Sequence, residues 1–89
     1  MIIAAAIKHE PTGIVTTGVR HAQCFERFWN EHPEFKESYG DMVVAKNNIK
    51  QGFVTNKNEF MERKEAAEYA YRNGQISKPQ KTLFSEDLW

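Results

Sequence analysis

The chain has a single cysteine, Cys24, so no disulfide can close within it. Its stability must come from a packed core or from association, and a reducing compartment suits it. Cys24 and the three histidines do not stand at a zinc-binding spacing. His9, His21 and His32 are too far apart to pair on one helix as metal ligands, and neither metal nor cofactor is expected. A phosphate-cradling Gly-rich loop and a nucleophile elbow are both missing. The longest apolar run, residues 2–7, follows no basic segment and is too short to span a bilayer. It reads as a buried strand, and no membrane association is expected. There is also no excess of charge of either sign: twelve Lys and Arg balance twelve Asp and Glu. Without a net field to draw in DNA or RNA, general nucleic-acid binding is not expected. No internal repeat or low-complexity stretch is present.

What the sequence does have is aromatic side chains. Six Phe, three Tyr and two Trp make up 12% of 89 residues. A length of 89 residues supports one domain, 1–89, with one core. Aromatics in surplus over so small a core imply that some face a ligand or partner.

Residues 2–8 read as a strand. His9-Glu10-Pro11-Thr12-Gly13 is turn chemistry, and β-branched residues 14–17 return as the second arm of an antiparallel hairpin. Gly18 breaks that strand. Residues 20–32 form a helix, with Phe25, Phe28 and Trp29 at helical spacing and His21 and Cys24 on the same side. Pro33 ends it. Residues 34–48 read mostly as loop, with Met42-Val43-Val44-Ala45 as a short strand inside it. A third strand covers 51–55, a polar turn follows, and Phe60-Met61 returns from it. A second helix runs over 63–73. Glu65 supplies half a capping box behind the poor cap Glu62, and Asn73-Gly74 is the stop signal. Glu68 and Arg72 form an i,i+4 pair on it. Leu83, Phe84 and Leu88, with Trp89, imply that the tail docks on the domain. The expected fold is α+β: a small antiparallel sheet, two helices packed on one face, and a docked C-terminal tail.

The most informative feature is misplaced positive charge. The N-terminal end of a helix is partially positive and favours acidic residues. Here the first helix opens with Arg20-His21 and the second with Arg63-Lys64. Each placement costs about 0.3–1 kcal/mol unless an anion is near. Two anions suit: an external phosphate or carboxylate, or the chain's own Glu86, Asp87 and terminal carboxylate. If the helices lie side by side, both openings converge on one ligand. In Gln51-Gly52-Phe53, Gly marks a close approach of ligand or backbone, Gln can read a polar edge, and Phe either stacks on a base or enters the core. Trp89 stacks on a base, on the sheet or on a sister chain. Cys24 lies one turn from His21 with nothing to orient the imidazole, and an apolar helix face makes it an inert buried thiol rather than a nucleophile.

Several blocks resemble a widespread group of small phage and bacterial proteins. They are Ala5-Ala6-Ile7, Gly18-Val19-Arg20-His21, Gln51-Gly52-Phe53-Val54-Thr55, Phe60-Met61-Glu62-Arg63-Lys64-Glu65-Ala66-Ala67, Gly74-Gln75-Ile76, and Leu83-Phe84-Ser85-Glu86-Asp87-Leu88-Trp89. Together they cover about half the chain. The resemblance implies a phage anti-defence factor similar to the anti-CBASS and anti-Thoeris sponges. Such a protein binds a nucleotide immune signal, such as a cyclic dinucleotide, in the host cytoplasm without cleaving it. On that reading the protein is no enzyme: Arg20, His21 and Arg63 grip phosphates while Gln51, Phe53 and Trp89 hold bases. One departure is Glu62, where Asp, Ser or Thr would cap the helix better. The partners expected are a small anionic ligand and further copies of the chain, as a homodimer or tetramer. Two alternatives stand beside it: an interaction module that inhibits a host enzyme, and a nucleotide hydrolase with His21 or a glutamate as base.

Overall fold

A computed structural model describes residues 1–38 and 48–88. Four strands form one antiparallel sheet in the order β2-β1-β3-β4. The strands are β1 (Ile2–His9), β2 (Ile14–Gly18), β3 (Ile49–Thr55) and β4 (Phe60–Glu62). Among the described residues the helices are α1 (His21–Glu31), α2 (Pro33–Ser38) and α3 (Arg63–Arg72), with a short 3-10 turn at Ser85–Asp87.

β1 sits in the middle, and its composition explains why. Ala5, Ala6 and Ile7 are all buried, as suits a strand flanked by neighbours on both edges. The hairpin to β2 closes through the Gly13 N–H, which donates to the His9 carbonyl at 2.7 Å. Gly13 takes a φ of +75°, which a side chain would resist. The β3–β4 turn is held by Thr55, whose hydroxyl accepts from the Lys57 and Glu59 N–H groups. Asn58, at φ +60°, occupies its left-handed position.

Both long helices and the tail lie on the same face of the sheet. Cys24 and Phe28 of α1, Ala66, Ala67 and Ala70 of α3, and Leu83 of the tail enter one cluster with Ala5, Ile7 and Phe53. Alanines on the inner side of α3 let it approach β3 and β4 closely. The opposite face carries Ile3 and Val15, both exposed, with Lys8 over the Phe60 ring.

The expected antiparallel α+β arrangement with helices on one face and a docked tail is what the chain adopts. β3 starts two residues earlier than expected, at Ile49. The larger correction concerns residues 34–48, read above mostly as loop: α2 begins at Pro33. Proline does end α1, but it also suits the first position of a helix, where its missing N–H costs nothing. Glu34 then places an acid in the first turn. The strand expected at Met42-Val43-Val44-Ala45 lies outside the described residues, as does Trp89. No helix among the described residues is long and apolar enough to cross a membrane.

Candidate functional site

The two helix openings do converge. Arg20, the residue capping α1, and Arg63, the first residue of α3, line one cleft with His21, Ala22, Phe84, Ser85 and Glu86. Its volume is about 520 Å³. α1 has no acidic residue in its first turn, and the Arg20 side chain makes no cap bond. Instead Gln23 reaches back and accepts from the Val19 N–H at 2.8 Å.

His21 is buried and fixed at both ring nitrogens. Its Nε2 lies 2.7 Å from the Gly52 carbonyl, an acceptor only, so Nε2 carries the proton. Its Nδ1 lies 3.3 Å from Arg63 Nη2 and 3.4 Å from Ser85 Oγ. A guanidinium only donates, so Nδ1 presents its lone pair and the ring is neutral. Burial lowers the His21 pKa below its usual value, and the Arg63 charge adds to that; the Gly52 carbonyl and Glu86 act the other way. Beneath it, Phe53 meets the imidazole edge-on, with centroids 5.1 Å apart.

Arg63 is held by neutral groups. Nη2 donates to Gln51 Oε1 at 2.6 Å and to His21 Nδ1, and Nη1 donates to the Leu83 carbonyl at 3.4 Å. The Leu83 N–H in turn donates to the Arg63 carbonyl at 3.1 Å, which fastens the tail to the start of α3. The guanidinium lies over the Phe84 ring, 4.9 Å from its centroid. Among the described residues Arg63 forms no salt bridge. Partial burial lowers its pKa, opposed by the field of Glu86.

Arg20 meets Glu86 at 3.8 Å, both side chains substantially exposed. A long, solvated pair of this kind is worth little, about 0–1 kcal/mol. Among the described residues, Glu86 is the acid that lies within ion-pair distance of the cleft's guanidinium groups, and it meets Arg20 rather than Arg63. Asp87 is turned away: its carboxylate accepts from the Phe84 N–H at 2.9 Å.

Of the six residues expected to bind ligand, the structure brings Arg20, His21, Gln51, Phe53 and Arg63 together, and Trp89 lies outside the described residues. Their roles differ from those expected. Phe53 is wholly buried, so it braces His21 and offers no face to a base: the correction follows from the register that pairs it with Ala5 on the helix-covered side. Gln51 orients Arg63. The close approach anticipated at Gly52 is that of β4, since a Cβ there would run into the Met61 carbonyl and the Phe60 ring. Cys24 is buried, and burial pushes its thiol up to about 11, which leaves it inert at neutral pH. Phe84 and Ser85 were not anticipated at the site. The adjacent pair Leu83-Phe84 does not say in sequence which of the two faces the helices.

The family described as phage T4 y16D protein matches residues 1–89. The chain belongs to that family. The resemblance to small phage proteins is thereby established over the whole length rather than in separated blocks. No curated protein and no solved structure matches the chain. For this member of the y16D family, the functional reading therefore rests on the cleft.

Proposed function

We propose that this protein captures a small anionic ligand, a nucleotide immune signal of the cyclic dinucleotide kind, and sequesters it without cleaving it. The observation that carries this is Arg63: a fixed, partly buried cation whose partners among the described residues are all neutral, on the same cleft as Arg20. A guanidinium held in place by uncharged acceptors keeps its charge available to a phosphate. The first-turn N–H groups of α1 have no intrahelical acceptor and add to the positive potential. The cleft volume falls in the range of small-molecule sites, about 300–1,000 Å³. Membership in a phage family fits an anti-defence role in the cytoplasm of an infected cell. Binding without turnover is supported by His21, whose lone pair already faces Arg63 and whose other nitrogen is tied to Gly52. Taking a proton there would set two cations against each other. Exposed Ile3 and Val15 support assembly into a homodimer or tetramer.

Thermal-shift titration against cyclic dinucleotides and ADP-ribose derivatives, with chromatography of the recovered ligand, tests this. At a hundredfold excess over Kd, ligand stabilises by about 2.7 kcal/mol. Wild type and Cys24→Ser should show the shift, Arg20→Ala and Arg63→Lys should lose most of it, and Glu86→Gln should strengthen it. The ligand should return unchanged. A recovered product would assign a hydrolase instead. No shift with any member of the panel, alongside retention of a host protein, would assign an interaction module.

A further inference from the structure

The tail presents an aromatic ring where folding alone would hide it. Leu83 and Ser85 are buried, yet Phe84 between them is 47% exposed. The ring is not loose. Its backbone N–H is tied to Asp87, the Asp87 N–H returns to the Phe84 carbonyl at 3.0 Å, and Arg63 lies over the ring. Phe84 also lines the cleft that holds Arg20 and Arg63. A rigid, half-exposed aromatic beside two cations presents a flat apolar surface next to a phosphate-sized charge.

Resting on the anion-binding reading above, we propose that Phe84 is the base-stacking platform of the site, so that the cleft selects base-bearing nucleotides over base-free phosphates. The base lies against the part of the ring that solvent reaches, while the phosphate meets the guanidinium groups. Stacking on an aromatic side chain tolerates any base, because every base has a π-face. The platform thus sets the ligand class and leaves base identity to other contacts.

Isothermal titration of the full chain with cyclic di-AMP and with ribose 5-phosphate separates the two contributions. Wild type should bind the dinucleotide at least tenfold tighter than the sugar phosphate. Phe84→Ala should weaken the dinucleotide about tenfold and change ribose 5-phosphate less than twofold, whereas Phe84→Trp should retain both. Arg63→Lys should weaken both probes. An unchanged dinucleotide affinity in Phe84→Ala, or an equal loss for both probes, would overturn the platform while leaving the anion site standing. No binding of either probe to wild type would overturn the platform and the anion site together. If sedimentation showed Phe84→Ala converting an oligomer to monomers, the ring would instead be a subunit contact. Matching circular dichroism for the variants shows that each has folded.

Discussion

His21 is the residue at which α1, β3, α3 and the tail meet, and its protonation state is set by those neighbours. The folded chain holds both His21 and His9 below the usual pKa of 6.5; for His9 the causes are burial and then His32. The unfolded chain therefore binds protons that the folded chain refuses. Stability from the neutral rings is complete above about pH 6.5 and is lost as pH falls from there through the lower folded values. Urea midpoints should fall between pH 7.5 and 5.5, and His21→Gln should flatten part of that slope. A slope unchanged in His21→Gln would show that the ring is not held neutral. The meeting of Arg20 and Arg63 on one cleft was legible in the sequence because cations at helix openings break an electrostatic rule that needs no tertiary knowledge. The neutral state of His21, which was expected to grip phosphate, was not legible, because the Gly52 carbonyl and Arg63 impose it from elsewhere in the chain. The burial of Phe53 was not, since Gln51-Gly52-Phe53 fits either face until β1 fixes the register. Nor was the display of Phe84, which depends on how the tail turns at Asp87.

The ends of α3 and β1 show how one element completes another. Gly74 closes α3 with a φ of +73°, while the Gly74 and Gln75 N–H groups return to the Tyr71 and Ala70 carbonyls at 3.1 and 2.8 Å. The turn delivers the Gln75 amide to β1, where it accepts from the Ile2 N–H at 2.7 Å and donates to the Ile2 carbonyl at 3.0 Å. It thus acts as a surrogate strand beside the irregularity between Ile2 and Ala4 in the β1–β3 pairing. Gln75→Ala should cost about 1–3 kcal/mol in chemical denaturation, because it strands two partly buried backbone groups. The nearby exposed Lys78→Ala should change stability by less than about 0.5 kcal/mol. A Gln75 variant as stable as Lys78→Ala would show that water replaces the amide. The Asn73-Gly74 stop was readable from local chemistry. The Gln75 bridge was not, because it joins residues 73 positions apart. Proline 33 misled for a different reason: the same ring that stops one helix begins the next.

At the scale of the whole molecule, the helices and the tail pack on one side of the sheet, and among the described residues the other side carries Ile3, Val15 and a Lys8–Phe60 contact. The alternation of strands and helices made the layered arrangement legible, since each amphipathic element needs an apolar surface to cover. If copies associate through the open side, sedimentation should give a multiple of 10.4 kDa at micromolar concentration, and Val15→Lys should return it to that mass. A wild-type monomer would refute such assembly. The interlock of Arg63 with Leu83 carries a consequence for measurement. One wall of the cleft is a tail segment whose Leu83 amide is held by a backbone bond to the start of α3 rather than within the sheet, and segments of that kind open more readily than a sheet does. An occupant that rests on this wall must slow its opening, by the same free energy that the closed wall lends to occupancy. Hydrogen exchange at the Leu83 amide is thus a built-in reporter of whether the cleft is filled.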